Sequence, residues 1–242
     1  HYDFNLGGPL LTDSTFRIID CGDIDKPCRD IKANGKFITK SVGTILNQGA
    51  LPIGIGTDEG GFISFIRAYH EHSNICVIHI DAHIDWRDEK DGVREGYSSV
   101  MRRTSEMDWV TGMAQIGLRG MGSARKKEVD DARTFGSVFI HARDIHEKGV
   151  HQCLKGIPPA DGYIITIDSD AFDTGMAPGV LFPTPGGLTF FETADLVDEI
   201  SQRGPILGIC LFEVRPELDI NDMTASAAAQ LLINFIGTLA KH

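Results

Sequence analysis

Two apolar runs of this chain end abruptly in carboxylates, and that pattern limits what it can fold into more than any other feature. The run IHIDAHID sets Asp81, His83 and Asp85 at alternate positions, so an extended backbone points all three to one side. The run ITIDSD does the same with Asp168 and Asp170. Buried strands do not take charge casually, but in open α/β sheets ligands sit outside the carboxyl ends of strands. Several carboxylates facing one another raise each other's pKa and cost several kcal/mol unless cations neutralise them. Two divalent metal ions would do so. A single Asp after a strand reads equally as a helix cap or a loop residue; two such elements together do not.

The rest of the chain supplies the frame. Apolar, β-rich runs appear at Leu51–Ile55, Ile75–Ile80, Met113–Leu118, Ser137–His141, Tyr163–Ile167 and Ile206–Val214. Between them lie segments with helical spacing: Phe37 to Leu46, Phe62 to Tyr69 and Phe190 to Val197. The closing stretch Met223–Leu239, rich in Ala, Leu and Ile with Thr224 and Ser226 near its start, reads as a packed final helix. Alternating strands and helices, with strands apolar on both faces, predict an α/β fold of three layers: a doubly wound, mainly parallel sheet with helices on both faces. The Gly-Pro-rich stretch Met176–Gly187 and the charged stretch Asp85–Glu95 are too short to divide domains and read as active-site loops. One domain over residues 1–242 is expected. Because the chain begins at His1 without an initiator Met, that domain is expected to lack N-terminal residues, a strand among them.

Charge narrows the partners. A net charge of −11 disfavours nucleic acid and anionic membrane, which need basic patches, and favours a small cationic substrate. No apolar run approaches the roughly 18 residues that a membrane span needs. Five cysteines (Cys21, Cys28, Cys76, Cys153 and Cys210) without a close pair suit reduced thiols and a cytoplasmic location.

DAHID (Asp81–Asp85), TIDSDAFD (Thr166–Asp173), PTPGGLT (Pro183–Thr189) and LFEV (Leu211–Val214), together and in order, resemble the ureohydrolase family of arginases, agmatinases and guanidinobutyrases. The resemblance spans roughly Pro52 to the end. It implies a trimeric or hexameric assembly, two divalent ions, Mn or in some members Ni, and hydrolysis of a guanidino or amidino compound to urea and an amine. A metal-bridging hydroxide would attack the guanidinium carbon. Carried over by motif, Asp81 and Asp168 bridge the ions, Asp85 completes one and His83 with Asp170 the other. Glu213 holds the cationic guanidinium.

Three positions depart from the family's pattern. Family members usually read GGDHS, with a metal-binding His, where this chain reads GTDEG with Glu59. A ligating Glu59 leaves five carboxylates and one His, a set that favours a hard ion such as Mn. Glu95, in REGYSS, falls nearest the position of a proton-relaying His in many agmatinases and is a candidate acid or base; an ordinary solvated Glu is the bland alternative. Thr174 stands where Pro is usual. Two functional readings follow: a working amidinohydrolase that uses an acidic ligand at Glu59, or a metal-poor, catalytically degenerate subunit supporting an active paralogue in a hetero-oligomeric biguanide hydrolase of the metformin type. His70, His72, His141, His146 and His151 lack ligand spacing and read as surface or packing residues. Arg102 and Arg103 read as partners of acidic neighbours or of subunit contacts. The GxG at Gly54–Gly56 lacks the rest of a dinucleotide fingerprint.

Overall fold

The structure, a computed structural model, describes residues 2–11, 14–24 and 31–241. A two-residue antiparallel pair, β1 (Tyr2–Asp3) with β2 (Gly8–Pro9), precedes helix α1 (Ile31–Asn47). Strand and helix then alternate: β3 (Ile53–Ile55), α2 (Gly61–Arg67), β4 (Ile75–Ile80), α3 (Val100–Thr104), β5 (Val110–Leu118), α4 (Lys126–Phe135) and β6 (Val138–His141). Two short helices, α5 (Ala142–Lys148) and α6 (Val150–Cys153), lead to β7 (Gly162–Asp168), α7 (Phe190–Ser201), β8 (Ile206–Phe212) and α8 (Met223–Leu239).

Strands β3 to β8 form one sheet in the order β3-β8-β7-β4-β5-β6, and every pairing in it is parallel. Parallel neighbours need crossover connections, which place helices on the faces and bury the strands on both sides. The two faces carry separate cores. On one, Ile78, Ile80, Ile165, Ile209 and Leu211 pack against Leu196 and Ile200 of α7 and Leu231 and Phe235 of α8. On the other, Ile75, Val77, Ile164 and Phe212 pack against Val42 of α1, the Phe62–Ile66 face of α2, and Val100 and Met101 of α3. Odd and even residues of β4 thus serve opposite layers, the period-2 alternation of an extended strand. All six expected strands form, and the final helix has the bounds that its composition predicts.

The chain runs outward from β4 to β5 and β6, then returns to lay β7 on β4's other edge. The crevice at this reversal is where doubly wound sheets hold ligands, and β4 and β7 are the strands that end in Asp81 and Asp168. Four of the described residues' cysteines, Cys21, Cys76, Cys153 and Cys210, are free, as the sequence suggests; Cys28 lies outside the described residues. No helix among the described residues is long and apolar enough to cross a membrane.

Truncating Ile78, wholly buried at the centre of the sheet, leaves a cavity beneath the crevice. Ile78→Ala is expected to lower unfolding stability by about 2–5 kcal/mol, read as a lower denaturant midpoint at unchanged slope. A change under about 0.5 kcal/mol, typical of surface positions, would contradict this account of the core.

Candidate metal centre

At the carboxyl end of β4 the backbone leaves the sheet and its side chains converge on those after β7. Asp81 is wholly buried; its Oδ1 accepts from the backbone N of His83 at 2.6 Å, a turn that fixes both residues. Asp168 Oδ1 accepts from the backbone N of Asp170 at 2.8 Å in the same way, and Asp170 Oδ1 accepts from Ala82 N at 3.2 Å, which ties the two strand ends together. His83 Nδ1 lies 3.1 Å from Asp170 Oδ2 and 3.3 Å from Asp81 Oδ1. Asp85 and Glu213 adopt left-handed backbone conformations, with φ of 41° and 62°. Such strain costs on the order of 1–3 kcal/mol at a non-glycine residue and persists where the surroundings impose it. Here it turns two buried carboxylates back toward the crevice.

Glu59, in the turn between β3 and α2, is wholly buried. Its Oε1 accepts from Thr166 Oγ1 at 3.2 Å, and its backbone N donates to Glu213 Oε1 at 3.1 Å. Glu213 Oε2 accepts from Arg215 at 2.9 Å. The loops above are stapled by Arg119, whose guanidinium donates to the carbonyls of Asp170 and Thr184, each at 2.6 Å.

Two overlapping groups of ligand atoms emerge, each drawn together within 4.8 Å: Glu59, His79, Asp81 and Asp85, and Asp81, His83 and Asp170. Asp81 belongs to both. Glu59 Oε2 and Asp81 Oδ2 are buried without a hydrogen-bond partner, a state that costs free energy unless a cation completes it. A donor set rich in carboxylate oxygen with an imidazole in each group suits divalent ions that tolerate both. The chemistry of the residues therefore fits two ions sharing Asp81.

The electrostatics tell the same story. Burial pushes Asp168 well above the usual carboxylate range, helped by Asp170 and Asp81, and Asp85 likewise, helped by Asp81 and Glu59. Asp170 rises to about 6 through burial and the charge of Asp81. Burial opposes a charge on His83, but the Asp170 and Asp81 carboxylates outweigh it and raise the ring to about 10.

Of the residues expected from sequence, Glu59, Asp81, His83, Asp85, Asp168, Asp170 and Glu213 gather at this crevice. Glu95 does not: Arg67 holds its carboxylate in a two-point ion pair, at 2.7 and 3.0 Å, which lowers its pKa and commits both oxygens away from the pocket. Arg102 and Arg103 pair with Asp131, Asp88 and Glu106, and His146 and His151 pair with Glu192 and Glu199. One residue escaped the sequence reading. His79 lies within β4 on the same face as Asp81, and the alternation that groups positions 81, 83 and 85 reaches back to it. The cavity outside the crevice is about 420 Å³; Lys90, Tyr97, Met121, Phe182 and Thr184 line it together with His83, Asp168, Asp170 and Glu213. Both expected active-site loops contribute, through Lys90 and through Leu181–Thr184.

The comparisons with known proteins converge. A model of the arginase family matches residues 2–237. An uncharacterized 32.2 kDa protein of Methanothermus fervidus is 32% identical over 220 residues, covering 90% of this chain and 74% of its own length. The N(1)-aminopropylagmatine ureohydrolase of Thermococcus kodakarensis is 29% identical over 226 residues, covering 93% and 75%. Among solved structures, formimidoylglutamase from Bacillus subtilis superposes with a TM-score of 0.86 at 27% identity over 99% of this chain and 76% of its own.

The titrations give a pH signature without added metal. His83 and Asp170 keep protons in the folded chain that the unfolded chain has released, over windows from about 6.5 to 10 and from about 4 to 6. The folded state binds more protons in both windows, so stability falls as pH rises through them. Asp81, shifted downward, acts with the opposite sign only below its ordinary range, under about pH 4. In chelator the melting temperature is expected to fall steadily as pH rises through these windows. Saturating Mn is expected to flatten or reverse the fall, because metals compete with protons for these ligands. A pH-independent melting temperature in chelator would contradict this.

Proposed function

The chain belongs to the arginase family, whose members are metal-dependent hydrolases of guanidino and related amidino compounds, and on that premise we propose that it hydrolyses a guanidino or amidino compound, releasing urea and an amine from a guanidino substrate. The observation that carries this reading is the convergence of six buried carboxylates (Glu59, Asp81, Asp85, Asp168, Asp170 and Glu213), two of them with an oxygen lacking a hydrogen bond, at the switch point of the sheet.

In this reading Asp81 and Asp168 would be shared by two divalent ions, Mn or Ni. Glu59 and Asp85 complete one site, and His83 and Asp170 the other. When bound, the ions would supply Lewis acidity and acidify a water. The protein's own groups do the rest. Glu213, at the pocket wall with Arg215 and the Glu59 amide fixing its two oxygens, receives the guanidinium N–H groups. Asp85, buried beside Glu59, would take the proton of the attacking water and return it to the leaving amine. Glu95, held by Arg67, has no part in the transfer. The metal-poor alternative draws no support from the site: Glu59 is wholly buried and its free oxygen lies inside the cluster.

The pocket also bears on the substrate's tail. Lys90 Nζ bonds to the Tyr97 hydroxyl and lies 4.6 Å from that ring's centroid, beside the apolar surfaces of Leu181 and Phe182. A cation at the far wall favours a guanidino or amidino compound that carries a carboxylate on its tail over one that carries a second amine. The trimeric or hexameric assembly and the cytoplasmic location belong to the same proposal.

Urea release is expected from the Mn- or Ni-loaded protein with at least one ω-guanidino acid, and is expected to vanish in Asp81→Ala and Asp168→Ala. Lys90→Ala is expected to raise KM about tenfold for acid-tailed substrates, as loss of a charge-assisted hydrogen bond does, and to leave amine-tailed ones nearly unchanged. Full turnover by Asp168→Ala would overturn the proposal; an equal KM change for both tails would remove Lys90 from substrate selection.

A further inference from the structure

The row of the sheet directly beneath the crevice is polar where its neighbours are apolar. In register across β5, β4 and β7 stand Gln115, His79 and Thr166, all wholly buried. A packed apolar side chain would fill the β4 position without demanding partners; an imidazole there must be satisfied. Gln115 meets one side of it. Its Nε2 lies 3.2 Å from His79 Nδ1 and 2.7 Å from Ile84 O, while its Oε1 accepts from Ser137 Oγ at 3.0 Å.

The other ring nitrogen is the informative one. His79 Nε2 lies 2.9 Å from Asp81 Oδ2 and 3.2 Å from Glu59 Oε1, yet is aligned for a hydrogen bond with neither. These are ion-pair contacts, but Nε2, like Asp81 Oδ2 and Glu59 Oε2, is left without an aligned hydrogen bond. Ligand atoms of Glu59, His79, Asp81 and Asp85 lie within 4.8 Å of one another, and three of these residues are wholly buried with such an atom left without a hydrogen bond. Ligands at right angles on an ion about 2.1 Å away stand about 3.0 Å apart, close to the 2.9 and 3.2 Å seen here.

We propose that His79 is a metal ligand, and that the imidazole absent from loop position 59 is supplied instead from inside strand β4. The exchange is reciprocal: the loop contributes Glu59 and the strand contributes His79, so the first group keeps one nitrogen among its oxygens. This inference rests on the metal-dependent reading above. Binding has a consequence one layer deeper. A ligating His carries its hydrogen on the far nitrogen, given to an acceptor, so Gln115 must turn its Oε1 toward Nδ1, with the Ser137 hydroxyl accepting in place of donating. Ile84 O loses its donor in that turn.

The test titrates metal-free protein with cobalt(II), a borderline ion that accepts imidazole, in wild type and in His79→Gln, which keeps an N–H but removes the ring nitrogen. Ion stoichiometry is read by elemental analysis, and coordinated rings are counted by proton NMR from their exchangeable, paramagnetically shifted imidazole N–H signals. The expected result is two ions and two such signals in wild type, against one signal in His79→Gln with the weaker ion's Kd raised more than about 100-fold. Loss of a mere supporting hydrogen bond costs about 10- to 100-fold and leaves the ring count unchanged. Two ions with a single signal in wild type would overturn the role of His79 and leave the metal-dependent reading standing. No bound ion in wild type would sink both. If His79→Gln melts far below wild type in chelator, the wild-type ring count alone decides.

Discussion

Mutual repulsion among buried carboxylates organises this molecule. Glu59, Asp81, Asp85, Asp168 and Asp170 are each at most 9% exposed, and they occupy one crevice. Charges so placed in a low-dielectric interior cannot all ionise without compensation; burial first, and neighbouring carboxylates second, hold Asp85, Asp168 and Asp170 above the usual carboxylate range. Protons relieve it in part, and His83 in part. Two orphaned carboxylate oxygens show that the relief is incomplete. The cluster is a candidate binding site because it is an electrostatic liability in isolation.

The fold is arranged to hold that liability in place. Parallel pairing of β4 with β7 aligns the two acidic strand ends, and the reversal of chain direction there opens the crevice between them. The turns after each strand spend backbone N–H groups on Asp81, Asp168 and Asp170, fixing the carboxylates while leaving other lone pairs free. Arg119 carries the PTPGG loop to the Asp170 turn through carbonyl groups alone, so it adds rigidity without quenching a ligand. The strained residues have holds of their own: Asp85 O accepts from the backbone N–H groups of Met101 and Arg102, and the Glu213 carboxylate accepts from Glu59 N and Arg215.

Much of this was legible in the sequence, for physical reasons. Runs apolar on both faces permit little except strands of a covered parallel sheet, so all six strands and the fold class could be read. Carboxylates at alternate positions after such runs have one side to face, which located Asp81, His83, Asp85, Asp168 and Asp170. What escaped was of a different kind. Helix α4 is largely charged and buries only Ala132, and α5 and α6 are too short to show a period. The ion pair of Glu95 with Arg67 was not legible, because loop spacing does not reveal which partner reaches a carboxylate. His79 was hidden by an apolar run: its role depends on Glu59, which lies twenty positions away in sequence and 3.2 Å away in space.

The central claim is that the crevice is built around two divalent ions, and metal content per chain tests it most directly. Protein purified with Mn or Ni present, then freed of loose metal, is predicted to retain about two ions per chain by elemental analysis, with Asp168→Ala losing them while remaining folded. A well-folded wild-type chain with essentially no bound metal would contradict the account.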